Sequence, residues 1–129
     1  MSKRATATFT LDSWDQSTLV EQAGGAIAQA EVTKTYTGEL AGTSVTRLLF
    51  GSKTEGKAAY GGFEIVTADL QGRTGTFMLH HRAAQGDQGF FELTVLEGSG
   101  TGELEGLSGS AQIDVDENGG HTLHLDYDV

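Results

Sequence analysis

The sequence contains no cysteine and no proline among its 129 residues. Without cysteine, disulfides, thiolate catalysis and cysteine-ligated metal sites are excluded. The lack of proline argues against Pro-rich linkers and stiff disordered arms. No run of 18 apolar residues is present, and the amino terminus lacks the apolar core of a signal peptide. These absences predict a cytoplasmic protein that does not enter a membrane.

Positive charge is also scarce. The chain has 8 Lys and Arg residues and 18 Asp and Glu residues, which gives a net charge of −10. Proteins that bind nucleic acid without sequence preference need Lys and Arg to displace counterions from phosphate. Anionic membrane surfaces make the same demand. We therefore expect neither a nucleic-acid partner nor a membrane partner.

Glycine, in contrast, is abundant, with 19 residues, and it recurs at a fixed place in a six-residue phrase. The phrase reads acidic, Leu, any, Gly, any, Ser or Thr, and it occurs at Glu39–Ser44, Asp69–Thr74 and Glu103–Ser108. A glycine between two strand-like runs marks a tight reversal, because glycine adopts positive φ at little cost. The repeat predicts a chain folded by a series of similar hairpins that turn at these glycines.

The rest of the pattern predicts eight or nine strands and a single all-β domain over residues 1–129. No segment longer than ten residues keeps a 3.6-residue apolar period; residues 17–30 could form a short helix, which Gly24-Gly25 disfavours. Residues 12–22 are less regular, and residues 51–57 and 83–88 are typical of loops. Gly61-Gly62 predicts a bulge or tight bend, and such mid-strand glycines favour a barrel over a sandwich.

One hairpin can be paired from the sequence. With a two-residue loop at Gln71-Gly72, Glu64 faces Leu79 and Gly62 faces His81. One face then carries Tyr60, Glu64, Val66, Phe77, Leu79 and His81, and the other carries Phe63, Ile65, Thr67, Met78 and His80. An apolar wall with a few polar groups is typical of a lumen that holds a small molecule. A three-residue loop would separate Glu64 from His81.

Glu64 and His81 are the candidate catalytic residues. A buried carboxylate has a raised pKa and can exchange a proton near neutral pH, whereas a neighbouring protonated His would hold it ionised. Tyr60 is placed to orient a carbonyl or hydroxyl, and Phe77 and Leu79 form the apolar wall. The alternative is that Glu64 and His81 only satisfy each other as buried polar groups.

Two further residues are candidates for ligand binding. Trp14 either stacks on a ligand at the barrel mouth or plugs one end as part of the core, and the core is the commoner role. Arg47 either reaches inward to bind an anion, pairs with Glu31, or is solvated. No metal site is predicted, because neither His80 and His81 nor the pair at 121 and 124 share a strand face.

Several phrases, taken in order, resemble a widespread bacterial family of small domains of unknown function with a fold like the allene oxide cyclase barrel. They are Trp14, Tyr36–Ser44, Tyr60–Glu64, Gly72–His81, Gly98–Leu104 and Leu125–Tyr127. The resemblance implies an eight-stranded antiparallel barrel with an internal cavity, and no reaction. A Glu and a His recur in that family at the positions of Glu64 and His81, whereas His80 replaces its usual Gln.

The sequence therefore predicts binding of a small apolar molecule in the lumen, without a cofactor. One alternative is a cyclase or isomerase that uses Glu64 and His81 for proton transfer. Another is a structural module that forms a homodimer through outward strand faces. Likeness of fold to cyclases supports an activity only by analogy.

Overall fold

The computed structural model describes residues 2–53, 58–86 and 89–129 and shows a closed barrel of eight antiparallel strands. Each strand pairs with the next, and β1 pairs with β8 to close the barrel. The strands are β1 (Lys3–Gln22), β2 (Gly25–Gly38), β3 (Leu40–Lys53), β4 (Ala58–Leu70), β5 (Arg73–Ala84), β6 (Phe90–Val95), β7 (Ser108–Val115) and β8 (His121–Asp128). The predicted all-β barrel is confirmed. No helix among the described residues is long and apolar enough to span a membrane.

The first strand is longer than the sequence suggested. Residues 12–22 continue β1 and pair with β2, with register shifts near Asp12 and Leu19. The short helix considered for residues 17–30 does not form, because Gly24 takes a φ of 91° and turns the chain between the two strands. Residues 51–53 belong to β3 and residues 83–84 to β5, so these parts of the predicted loops are strand. Gln85 and Gly86 lie outside the strands as predicted, and loop positions 54–57 and 87–88 lie outside the described residues.

The repeated phrase marks a hairpin turn at its glycine only once. Gly72 lies in the β4–β5 turn, whereas Gly42 lies inside β3 and Gly106 follows a single 3₁₀ turn at Gly102–Leu104. The prediction of three similar hairpins was therefore wrong. What the phrases share is their leucine: Leu40, Leu70 and Leu104 are all fully buried in one cluster. The repeat thus supplies apolar plugs for one end of the barrel.

Gly61-Gly62 forms no bulge, because β4 pairs with β3 and β5 in unbroken register across both residues. A Cβ atom on Gly62 would overlap the carbonyl oxygen of Arg47 on the neighbouring strand. Gly62 therefore lets two strands approach closely, which is the other common use of glycine in a sheet.

The β4–β5 hairpin has the predicted register. Glu64 pairs with Leu79, Gly62 with His81, and Asp69 with Thr74 around the Gln71-Gly72 turn. Glu64, Val66, Phe77, Leu79 and His81 are buried, whereas Phe63 and Ile65 on the other face are exposed. The predicted inward and outward sets are confirmed.

The barrel interior contains two apolar clusters. The larger fills the end where the buried leucines lie and includes Phe77, Leu79 and Tyr127. The smaller is built from Ala30, Val32 and Leu48, with Phe50 and Tyr60 packed against it. We call the first end the sealed end and the second the open end.

Candidate functional site

A carboxylate lies between the two clusters, and four side chains bond to it. Glu64 is 0% exposed. Its Oε1 accepts from Lys34 Nζ at 3.1 Å and from His81 Nε2 at 2.8 Å. Its Oε2 accepts from Tyr36 Oη at 2.5 Å and Ser44 Oγ at 2.6 Å. We call these five residues the polar layer; together they supply a donor for each lone-pair position of the carboxylate.

This arrangement keeps Glu64 ionised. Burial raises its pKa, but the hydrogen bond from His81 and the positive charge of Lys34 outweigh burial and lower the pKa to about 2. Because an ionised carboxylate can only accept, His81 Nε2 carries a hydrogen. Burial, followed by the charge of Glu64, raises the pKa of Tyr36 well above its usual value. Within the polar layer, the negative charge of Glu64 is therefore balanced by the positive charge of Lys34.

Three members of the polar layer were not predicted from the sequence. Lys34 and Tyr36 are consecutive inward positions of β2, and Ser44 on β3 pairs with Lys34. The available signal is a lysine in the alternating run Val32-x-Lys34-x-Tyr36, where a charge at an inward position needs a buried partner. Locating that partner requires the β2–β3 register.

A cavity of about 210 Å³ lies on the open side of the polar layer. Lys34 and His81 are part of its wall, together with Phe9, Leu11, Trp14, Val32, Thr46, Leu48, Phe50, Tyr60, Ile113 and His121. Aromatic rings pack against one another along this wall: Phe50 lies 5.3 Å from Tyr60, and Phe9 lies 5.0 Å from His121 between ring centroids. The cavity is therefore mainly apolar and aromatic, with its charged groups at the inner end.

Among the described residues, one buried side-chain oxygen or nitrogen has no hydrogen-bond partner, and it is the hydroxyl oxygen of Thr46. Thr46 is 1% exposed, and it lines the cavity. Thr46 pairs with Glu64 across β3 and β4, so its side chain lies on the inner face beside the polar layer. A buried hydroxyl without a partner costs about 1–3 kcal/mol relative to a satisfied one.

The predicted wall residues are divided between the two ends. Tyr60 lines the cavity, and burial raises its pKa. Phe77 and Leu79 are instead packed in the cluster of the sealed end, so they support the polar layer from the far side. Their predicted role as ligand contacts does not match this position, because the β4–β5 hairpin crosses both clusters.

Trp14 lies at the mouth of the cavity and is 49% exposed. It does not plug the barrel as core, because this part of β1 pairs with β2 beyond the closed wall. Its ring lies 6.1 Å from that of Phe50. Trp14 is thus one of the predicted ligand-binding residues that the structure brings to the cavity.

Arg47 lies outside the barrel, where Nη2 contacts Glu31 Oε2 at 2.6 Å. Inward and outward positions alternate along β3, and Thr46 and Leu48 take the inward ones. Of the alternatives for Arg47, the pairing with Glu31 on the outer face is the one present, and the side chain does not reach into the lumen.

The histidines diverge as the strand geometry requires. His80 stacks on Phe63 outside the barrel, with centroids 4.8 Å apart, whereas His81 lies inside. His121 lines the cavity, and His124 contacts Asp114 on the surface. In the described part of the chain, no three His, Asp or Glu side chains are placed to share a metal ion.

A larger depression of about 670 Å³ lies at the far rim of the open end. It is open to solvent, and its described lining consists mostly of Ala and Gly, with Lys53 as the one charged group among the described residues. The smaller cavity is the better candidate, because it contains both the unpartnered hydroxyl and the edge of the polar layer.

Comparison with known proteins gives the same fold and no reaction. A crystal structure of a protein of unknown function from the DUF3224 family, from Shewanella oneidensis MR-1, superposes with a TM-score of 0.84 and 28% identity, covering 99% of this chain and 98% of that one. No protein with a curated description matches. These descriptions name no allene oxide cyclase, so that likeness stays a prediction. The model of a protein family of unknown function, DUF3224, matches residues 5–127, and the chain therefore belongs to this family.

Proposed function

We propose that the protein binds a small, flat, uncharged molecule in the cavity above the polar layer. The observation that carries the proposal is the buried hydroxyl of Thr46, which has no partner among the described residues and borders an aromatic cavity. A bound molecule with one hydroxyl or carbonyl group would satisfy it. Its apolar remainder would then pack against the aromatic wall.

The size of the cavity limits the ligand. An engineered apolar cavity of about 150 Å³ accommodates benzene. The cavity of about 210 Å³ is therefore suited to one ring with a short substituent. Trp14, Phe50 and Tyr60 present ring faces and edges on its walls, which favours a flat aromatic or conjugated molecule.

The charge of the cavity favours a neutral ligand. Lys34 is the cation on the wall, and its ammonium group already contacts Glu64. A carboxylate ligand would compete with Glu64, which is held by three other donors as well. A hydroxyl or carbonyl can bond to Thr46 without disturbing that arrangement, because a threonine hydroxyl both donates and accepts.

The same contacts favour binding over acid–base turnover by Glu64. A carboxylate whose pKa is lowered to about 2 carries no proton to donate near neutral pH and is a weak base. All four of its lone-pair positions are engaged. A cyclase or isomerase reaction in this cavity would therefore need a group other than Glu64, and His81 is the predicted residue that lines the cavity and contacts Glu64.

The proposal can be tested with p-cresol and toluene, which differ by one hydroxyl. The single Trp of the chain lines the cavity, so its fluorescence on excitation beyond phenol absorption reports occupancy. We expect saturable binding of both molecules. Thr46→Val should weaken the binding of p-cresol by about tenfold, which is the equivalent of one neutral hydrogen bond, and should leave the binding of toluene unchanged.

Thr46→Ser is the matched control, because it keeps the hydroxyl and should keep the preference for p-cresol. Native mass spectrometry of the purified protein then shows whether a molecule of this class copurifies. Absence of saturable binding for both probes would contradict the proposal. So would a Thr46→Val protein that still prefers p-cresol to the same extent.

A further inference from the structure

The outer face of the barrel carries an unusual concentration of exposed apolar side chains. Its members lie on β2, β3 and β4 and are each 44–54% exposed: Ile27, Val45, Leu49, Phe63 and Ile65. They share one surface, because Val45 pairs with Ile65 and the row between β3 and β4 continues through Phe63. We call this set the outer apolar face. A contiguous apolar patch on a soluble protein usually marks an interaction surface.

Beside Phe63, the same face contains a hollow of about 260 Å³. Its lining includes the small residues Gly51, Ala59 and Gly61, together with Ile27, Leu49, Phe50 and Tyr60. Gly61 lies two residues from Phe63 on β4 and therefore points to the same side of the sheet. A protruding aromatic ring and a hollow large enough for a ring thus lie next to each other.

The barrel itself does not require the two glycines of the hollow. Among the described residues, a Cβ atom on Gly61 would lie 3.6 Å from the nearest atom, which is ordinary contact, and one on Gly51 would meet nothing within 4 Å. Neither has the positive φ that favours glycine. Gly62, by contrast, cannot accept a side chain because of the Arg47 carbonyl. Glycine inside a strand reduces stability, so the small size of Gly51 and Gly61 calls for a reason outside the barrel.

The charged residues on the outer apolar face indicate which kind of partner it can bind. Arg47 lies within the face, opposite Phe63, and pairs with Glu31. Arg82 lies opposite Gly61 and pairs with Glu92 at 3.0 Å, so the four charges cancel. The whole chain carries a net charge of −10. A second copy would meet this face without the repulsion expected elsewhere on the surface. A basic partner would be drawn to more acidic regions instead.

We propose that the outer apolar face binds a second copy of this chain, with Phe63 of each copy entering the Gly51–Ala59–Gly61 hollow of the other. Such a contact is self-complementary, as a two-fold symmetric dimer requires. Phe50 and Tyr60 line both the hollow and the cavity, but the residues that carry this proposal, Phe63, Gly51 and Gly61, do not line the cavity. The proposal predicts a dimer in which both cavities stay accessible from the open end.

Sedimentation velocity over a range of micromolar concentrations tests this contact. We expect the unmodified protein to sediment as a dimer and Phe63→Glu as a monomer. The more selective variant combines Gly51→Val with Gly61→Ala, which fills the hollow where the barrel has room. It should weaken dimerisation by at least about tenfold while its Tm stays equal or rises, because glycine is removed from strand interiors.

Val115→Glu is the control, because Val115 is exposed on β7 away from the outer apolar face. It places the same charge on the surface and should leave the dimer intact. A monomeric unmodified protein throughout that range would overturn the proposal. A dimer that survives both Phe63→Glu and the filled hollow would overturn it as well. Thr46→Val should not alter the dimer, which separates this result from that of the cavity.

Discussion

The two ends of the barrel are built from the same strands and have opposite properties. At the sealed end, Leu40, Leu70, Leu104 and Leu107 are packed with exposures of 0–1%. At the open end, Trp14 is half-exposed and the hydroxyl of Thr46 is buried with no partner among the described residues. The polar layer around Glu64 separates them. One wall therefore supplies a stabilising core on one side and an accessible cavity on the other.

The difference arises from strand length. β1 to β5 have 12–20 residues, whereas β6, β7 and β8 have 6–8. β7 and β8 reach only to Val115 and His121, whereas the longer strands continue to the rim of the open end, where β6 still pairs with β5 at Ala84. Extra strand length thus creates a partly walled space whose apolar surface is not covered by the described chain itself. The packing of the core and the shape of the cavity can therefore change separately in such a barrel.

Removing the charge of the polar layer should have the largest effect. Glu64→Gln leaves the ammonium of Lys34 buried without its anion, and breaking one side of a buried ion pair typically costs about 3–5 kcal/mol. Urea unfolding measures the loss. Glu92→Gln, which breaks the exposed pair with Arg82, should cost no more than about 1 kcal/mol. Equal effects of the two variants would show that the buried charge of Glu64 contributes no more to stability than an exposed ion pair does.

Matched leucine truncations compare the two ends directly. Leu70→Ala should destabilise the protein by about 2–5 kcal/mol, because it opens a void in a closely packed cluster. Leu48→Ala enlarges a cavity that already exists and should cost clearly less. Both are measured by chemical unfolding at neutral pH. A greater loss at Leu48 than at Leu70 would reverse the assignment of sealed and open ends.

Acid should weaken the polar layer over a defined range. The folded protein holds the pKa of Glu64 at about 2, below its reference value of 4.5. The associated stabilisation, about 3 kcal/mol, is therefore present above pH 4.5 and is lost as the pH falls from 4.5 to 2. Surface carboxylates such as Asp126 titrate in the same direction, so the Glu64→Gln protein serves as the baseline. Identical pH profiles for the two proteins would contradict this assignment.

The smallest effect should be a gain in stability at the open end. Without ligand, Thr46→Val replaces an unpartnered hydroxyl by a methyl group and should raise the free energy of unfolding by about 1 kcal/mol. Ser44→Ala is the comparison, because the Ser44 hydroxyl donates to Glu64 and its loss should cost about 1–3 kcal/mol. If Thr46→Val destabilised the protein as much as Ser44→Ala, the hydroxyl of Thr46 would have a structural role.

The β4–β5 part of the site could be predicted from the sequence, whereas the β2–β3 part could not. The Gln71-Gly72 turn determines which residues face each other, so the sequence alone places Glu64 and His81 together. The equivalent turn between β2 and β3 lies at Gly38-Glu39 rather than at Gly42. Because the sequence pattern placed this turn at Gly42, it could not predict the β2–β3 register that brings Lys34 and Ser44 to Glu64.

On β3, the alternation of apolar and polar residues could not predict which side chains point inward, and the reason is physical. Burial normally separates the two faces of a strand into apolar and polar sets. On β3 the outward positions include Val45 and Leu49, and the inward ones include Ser44 and Thr46. Polar residues inside and apolar residues outside reverse the usual pattern, which is why Arg47 could not be assigned to a side. The composition of the inward face of β4 and β5 predicted a lumen, but the position of the cavity depends on relative strand lengths, which the sequence does not give.

The seam between β6 and β7 has a consequence for motion. Within the described part of the chain, these strands share the single pair Thr94 and Ser110, while the segment after β6 bonds to β5 through Leu96 and Thr101. Few backbone hydrogen bonds must break to open this seam, whereas β2 is held along its whole length on both sides. Amide hydrogens at the seam should therefore exchange with solvent long before those of β2, and transient opening there gives water a lateral path into the barrel.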